Sequence, residues 1–212
     1  GAGAYSSYAV VYQGWVAGWG YNGSYNLSLG NNTSPVLSYD YSKISAVSYL
    51  DQVKSIEGGY MHALVVRADG SARGMGNNGQ GEYGDTTSTT TAYASQSPGL
   101  SMVKAAAAGQ YHSHWLLANG TLYSSGQGSR LQLGDSLTAT RYTPYGPLGT
   151  GLAKSITAGT DFGDTSFTLR VDSRVVGWGA NGYGQAGSGT IGTDVGLSYV
   201  YRTLPSTTIE DQ

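Results

Sequence analysis

The feature that most constrains this chain is a repeat of about fifty residues. Val53-Lys54-Ser55-Ile56-Glu57-Gly58-Gly59 is matched fifty positions later by Val103-Lys104-Ala105-Ala106-Ala107-Ala108-Gly109, and fifty later again by Ala153-Lys154-Ser155-Ile156-Thr157-Ala158-Gly159. After each comes an alternating segment, a turn and a second short strand ending in glycine. Asp69-Gly70 and Asn119-Gly120 sit between β-prone arms, a strong hairpin signal expected to place both central residues at positive φ. The glycines keep step: Gly76 to Gly84, Gly126 to Gly134 and Gly179 to Gly187 are each eight residues apart. Residues 1–20 carry the same pieces, and the fourth unit has three extra residues near 160–165. Four units therefore tile 212 residues, each one supersecondary unit that must bury its face on a neighbour.

Composition narrows the class. Glycine supplies 34 residues and tyrosine 18, while charged residues reach only 11%. That is too aromatic and too weakly charged for a disordered chain, and the glycine lacks a collagen period. Apolar runs stop short of the ~18 residues a membrane helix needs, so no membrane span is expected. The net charge is −2, and eleven Lys and Arg residues are scattered, so no basic stripe suits a nucleic acid. There is no cysteine, which removes disulfides and thiol chemistry. The chain opens without an initiator Met or an apolar leader, and we expect an extracellular or cell-surface protein whose signal peptide has been removed.

The repeat residues resemble the regulator-of-chromosome-condensation repeat family. Its blades carry a small-residue strand ending in glycine, a hairpin, then tryptophan-glycine, asparagine-glycine and leucine-glycine steps. Trp19-Gly20-Tyr21-Asn22-Gly23, Trp178-Gly179-Ala180-Asn181-Gly182, Leu29-Gly30-Asn31 and Leu133-Gly134-Asp135 fit that pattern. Met75-Gly76, Ser125-Gly126, Tyr83-Gly84 and Ala186-Gly187 depart from it. The resemblance implies an all-β fold, a β-propeller-like array of four-stranded blades. The boundaries are 4–52 plus 206–212 for blade 1, then 53–102, 103–152 and 153–205. Propellers of this family usually have seven blades, which needs roughly 350 residues at this repeat length. Four blades must close on themselves or find a partner.

The first unit lacks the segment equivalent to Val53–Gly58. Ser206, Thr207, Thr208, Ile209 and Glu210 fall in that register, nineteen residues beyond Gly187, with Gln212 on the register of Gly3. We expect this tail to complete blade 1 beside Gly3, Tyr5 and Tyr8, either in its own chain or head-to-tail in the next. The second arrangement implies a non-enzymatic structural or adhesive protein whose partner is itself, in oligomers or filaments. The alternative is a binding module, lectin-like or a protein inhibitor, using Trp19, Tyr21, Tyr25, Trp178 and Tyr183 for a glycan or protein.

Catalytic signals are weak. Three G-x-G-x-x-G matches, at Gly18, Gly74 and Gly177, recur at one repeat position and open no helix, so they read as structural loops. No cofactor is expected. His62 and His112 are repeat-equivalent, and the resemblance implies a structural role near the inner strands. His112 and His114 share a strand face, but no third metal ligand stands at a recognisable spacing. Asp85, Asp135, Asp161 and Asp164 read as loop aspartates facing solvent rather than a hydrolytic pair. Asn22, Asn26, Asn31, Asn32 and Asn119 are Asn-x-Ser/Thr acceptors for glycosylation.

Overall fold

The computed structural model describes residues 1–35, 50–97, 99–160 and 163–200. Its sheets follow the repeat. Strands β1 (Ser6–Val10) and β2 (Val16–Gly20) form a two-stranded antiparallel sheet, blade 1. Blade 2 is the antiparallel sheet β3 (Val53–Gly58), β4 (His62–Arg67), β5 (Ala72–Gly76), β6 (Thr91–Gln96). Blade 3 has β7 (Val103–Ala108), β8 (His112–Leu117), β9 (Leu122–Gly126) and β10 (Arg141–Tyr145); blade 4 has β11 (Ala153–Ala158), β12 (Thr165–Arg170), β13 (Val175–Gly179) and β14 (Val195–Tyr199).

The turn chemistry differs from the expectation in one respect. Gly70 and Gly120 take φ of 78° and 87°, but Asp69 and Asn119 are not at positive φ. Gly70 N donates to Arg67 O and Arg67 N to Ser71 O, which makes a three-residue loop ending in a left-handed glycine. The acid and the amide brace that loop with their side chains instead. Asp69 Oδ1 and Asn119 Oδ1 accept the N–H of Ser71 and Thr121, each two residues on.

Along each second strand, alternate residues face opposite neighbours, as a period of two requires. Leu64 and Val66 pack with Ala72, Val103, Ala106 and Trp115 between blades 2 and 3. Ala63 and Val65 turn the other way, to Tyr8, Val16 and Leu27 of blade 1. Leu116 and Leu122 meet Ala153, Val176 and Trp178 of blade 4. The apolar core is thus three interfaces rather than one centre, and each large buried side chain in it contributes about 1.5–3 kcal/mol. Backbone bonds stitch the blade ends together: Gly70 O accepts from Val103 N and Gly120 O from Ala153 N at one end, Gly59 O from Ala4 N and Gly109 O from Tyr60 N at the other.

The inner strands explain the small-residue segments. β3 lies against β7 and β7 against β11, where the sheets converge. The space left is a groove of about 270 Å³ lined by Ala105–Ala108, Gly58, Ala158 and their neighbours. Blade 1 packs on 2, 2 on 3 and 3 on 4; among the described residues no packing of similar extent joins blade 4 to blade 1. Among the described residues the array is an open arc.

Candidate functional site

The end of the arc that carries the Gly/Asn-rich loops also carries a row of tyrosines. Tyr5 precedes β1, Tyr111 precedes β8, Tyr60 follows Gly59 and Tyr21 follows β2. Their rings touch in sequence: Tyr21 to Tyr5 at 6.1 Å, Tyr5 to Tyr60 at 5.3 Å and Tyr60 to Tyr111 at 5.8 Å between centroids. Interplanar angles of 59° to 69° make these tilted or edge contacts, the geometry ring quadrupoles prefer. The hydroxyls of Tyr5 and Tyr60 lie 3.4 Å apart. Tyr5 is 52% exposed and the other three are half-buried. At the position of Tyr111 blade 4 has Asp164, which accepts from Gln132 Nε2. Burial raises the Asp164 carboxyl above the usual range, opposed by nearby Arg130. Arg130 itself pairs with Asp194 at 3.0 Å.

Beneath this row lies a buried histidine–serine relay between blades. His62 Nε2 meets Ser113 Oγ at 3.1 Å, and the repeat-equivalent His112 Nε2 meets Ser166 Oγ at 3.0 Å. His114 Nε2 reaches the same Ser166 Oγ at 2.8 Å. A hydroxyl has one proton to donate and two lone pairs to accept with, so at least one of the two rings must donate to it. Burial pushes His62 down to about 4 and His114 to about 3, and holds His112 well below its ordinary value. All three are neutral at pH 7. A Cβ on Gly59 or Gly109 would stand within 2.6 Å of the His62 or His112 ring, which is why glycine follows β3 and β7.

The G-x-G-x-x-G loops fold around their asparagines. Asn22, Asn78 and Asn181 are fully buried. Each Oδ1 accepts a backbone N–H five residues on, from Leu27, Tyr83 and Ala186. Each Nδ2 donates across the loop.

This placement corrects several expectations. Asn22 and Asn26 are no glycan acceptors in the folded chain: both are buried, and Asn22 Nδ2 already donates to Asn31 O and Thr33 O. Asn31, Asn32 and Asn119 are exposed. Tyr8 is a core residue, 5% exposed, whose hydroxyl donates to Asn26 O, so it offers no association surface. Trp178 is fully buried between blades 3 and 4 with Nε1 donating to Gln132 O, and cannot meet a ligand. Tyr183 is 95% exposed, Trp19 is exposed at the flank of blade 1, and Tyr25 is half-buried at φ 60°. Asp135 does not face solvent: its carboxylate is enclosed against Arg141 at 2.9 Å. Asp85 braces its loop through Asn78, Thr87 and Ser95. Asp161 lies outside the described residues.

Ser206, Thr207, Thr208, Ile209 and Glu210 also lie outside the described residues. The described residues at the start of the chain pair with β1. Gly1 and Tyr8 exchange backbone bonds, Ala2 bridges Ser7, and Gly3 N donates to Ser6 O. Gly1, Ala2 and Gly3 thus stand where Glu57, Gly58 and Gly59 stand in blade 2.

A β-array of this geometry has solved counterparts. No protein-family model matches the sequence. The chain superposes on Prp20p from Saccharomyces cerevisiae with a TM-score of 0.76 at 21% identity, covering 95% of this chain and 49% of that one. Human WBSCR16 gives 0.77 at 18% identity, with 93% and 50% covered. The fold is an RCC1-type β-propeller repeat fold. In sequence, the chain is 28% identical over 185 residues to the ultraviolet-B receptor UVR8 of Arabidopsis thaliana, covering 85% of this chain and 40% of that protein. The RCC1-type array here therefore spans about half the length of its relatives or less.

Proposed function

We propose that this chain is a non-catalytic binding module that recognises a protein partner through the row Tyr21, Tyr5, Tyr60 and Tyr111. The observation that carries this reading is the row itself, four contacting rings with accessible faces spread over three blades. Tyrosine gives a large, stiff contact area with few rotors to immobilise and a polar tip. Prp20p supports the choice of a protein ligand: its structure is described together with its binding to Gsp1p and histones, and it has been solved with Kap60 bound. The low charge and the Gly/Ser/Thr/Tyr composition support an extracellular or surface setting.

Selection of phage-displayed peptides against the purified chain tests the reading. Enriched peptides are expected to lose at least tenfold in affinity to the Tyr60→Ala, Tyr111→Ala double variant, since aromatic anchors dominate such interfaces. Peptides that bind wild type and double variant alike would refute it. A glycan-array signal abolished by the same variant would move the ligand class to sugars.

A further inference from the structure

The two flanks of the arc carry the two halves of one interface. At each internal junction, the residue before the last glycine of the third strand points into the preceding blade: Met75, Ser125 and Trp178 are 1%, 0% and 0% exposed. Met75 packs in the apolar cluster with Tyr8, Val16 and Leu27 of blade 1, and the other two reach a loop carbonyl of the preceding blade. Ser125 Oγ donates to Glu82 O at 3.2 Å, and Trp178 Nε1 donates to Gln132 O at 2.9 Å. The repeat continues this pattern to both ends. Trp19 is the equivalent residue of blade 1, and it is 37% exposed. Gln185 is the equivalent of Glu82 and Gln132 in blade 4; those two are fully buried, yet Gln185 is exposed.

The apolar residues around them behave the same way. Leu64, Val66 and Ala72 of blade 2 are covered by blade 3, and His114, Leu116 and Leu122 of blade 3 by blade 4, all at 1% exposure or less. Their equivalents in blade 4 are Phe167, Leu169 and Val175; the first two are half-buried and Val175 is 36% exposed. Blade 4 thus presents a socket already used twice inside the chain, and blade 1 presents the tryptophan that fills it at the last junction.

We propose that a second copy of this chain docks blade 1 face-on against blade 4, with Trp19 seated over Phe167, Leu169 and Val175 and its Nε1 donating to Gln185 O. The contact is heterologous, head to tail, and it pairs faces of sheets rather than exchanging a strand. Its occupant follows from continuity with the internal junctions of blades 2 and 3 and of blades 3 and 4, whose residue pattern it repeats.

Sedimentation equilibrium of the full chain from 1 to 200 µM tests this, alongside two blocked variants. Trp19→Asp spoils the first flank, and Val175→Lys, at an exposed position where folding is not at stake, spoils the second. Wild type is expected above 22.0 kDa with a concentration-dependent mass, and each variant alone at 22.0 kDa. An equimolar mixture of the two is expected to form a two-chain species, because each retains the flank the other lost. Wild type that stays at 22.0 kDa throughout, variants that still associate alone, or a mixture that does not associate would each overturn the proposal. The Tyr60→Ala, Tyr111→Ala variant is expected to associate normally, which separates this contact from the tyrosine row.

Discussion

The junction of blades 3 and 4 and the outer flank of blade 1 are built from one motif, tryptophan before glycine, with opposite surroundings. Trp178 is enclosed and hydrogen-bonded to Gln132 O, whereas Trp19 stands 37% exposed. The same two residues at the same repeat position thus serve as core in one place and as surface in the other. What differs is the neighbour supplied, not the strand that carries the side chain. A propeller blade is half an interface, and its stability is shared with whatever covers it.

The comparison breaks first at the tryptophans. Trp178→Ala is expected to cost about 3–5 kcal/mol through lost burial, a cavity and an orphaned carbonyl, while Trp19→Ala in dilute monomer costs under ~1 kcal/mol as a surface change. Urea denaturation of both variants decides it, and equal losses would mean that Trp19 is already covered in the monomer.

Glu82 sharpens the contrast between blades 2 and 3. It is fully buried with Oε1 lacking a hydrogen-bond partner, and burial pushes its carboxyl up to about 7. An acid raised from 4.5 binds its proton more tightly in the folded chain, so its contribution is full below pH 4.5 and is lost as pH rises through 7. Blade 3 has the neutral Gln132 at this place, bonded to Arg130 N and Asp164. Glu82→Gln is therefore expected to stabilise the chain by about 3 kcal/mol above pH 7, from ~2.5 pKa units at 1.36 kcal/mol each, and to do little below pH 4.5. Thermal melts at pH 8 and pH 4.5 read this, and an unchanged melting temperature at pH 8 would show that the buried carboxylate is solvated or paired.

The histidines act in the opposite direction. A ring whose folded value is depressed is stabilising when neutral, and that stability is lost as pH falls below 6.5. His62, lowered to about 4, should cost roughly 2 kcal/mol between pH 6.5 and 5. Glu57 and Asp164 are also raised by burial, but Glu82 is the acid pushed up to about 7, and three depressed rings oppose it, so the chain weakens on acidification from pH 7 to 5. His62→Gln is expected to flatten that slope by about one proton in urea titrations at several pH values, and an unaltered slope would place the acid sensitivity elsewhere.

Much of the fold was legible because it rests on local rules. The positive φ of Gly70 and Gly120, the hairpins they close, and the structural character of the G-x-G-x-x-G loops each leave a signature within a few residues, repeated along the chain. The spacing of His62 and His112 marked them as one structural position, but their serine partners, fifty or more residues away, left no local trace. The tyrosine row was half legible. Tyr5 and Tyr21 stood out as loop aromatics, whereas Tyr60 and Tyr111 sit one residue apart in the repeat and meet only because adjacent blades are rotated against each other. Asp135 and Asn22 looked solvent-facing because their types usually are, and became enclosed through loop bonds that reach six to eleven residues on.

The sequence by itself determined the blade: where strands begin and turn, which residues point each way, and that four such units stand in register. Those choices are made by backbone sterics, hydrogen bonding over short spans and a period of two. Only the tertiary structure decided which of those faces is core and which is open, and which tyrosines form a surface. Burial depends on the atoms that cover a residue, and in a stack of blades those atoms belong to the next unit along.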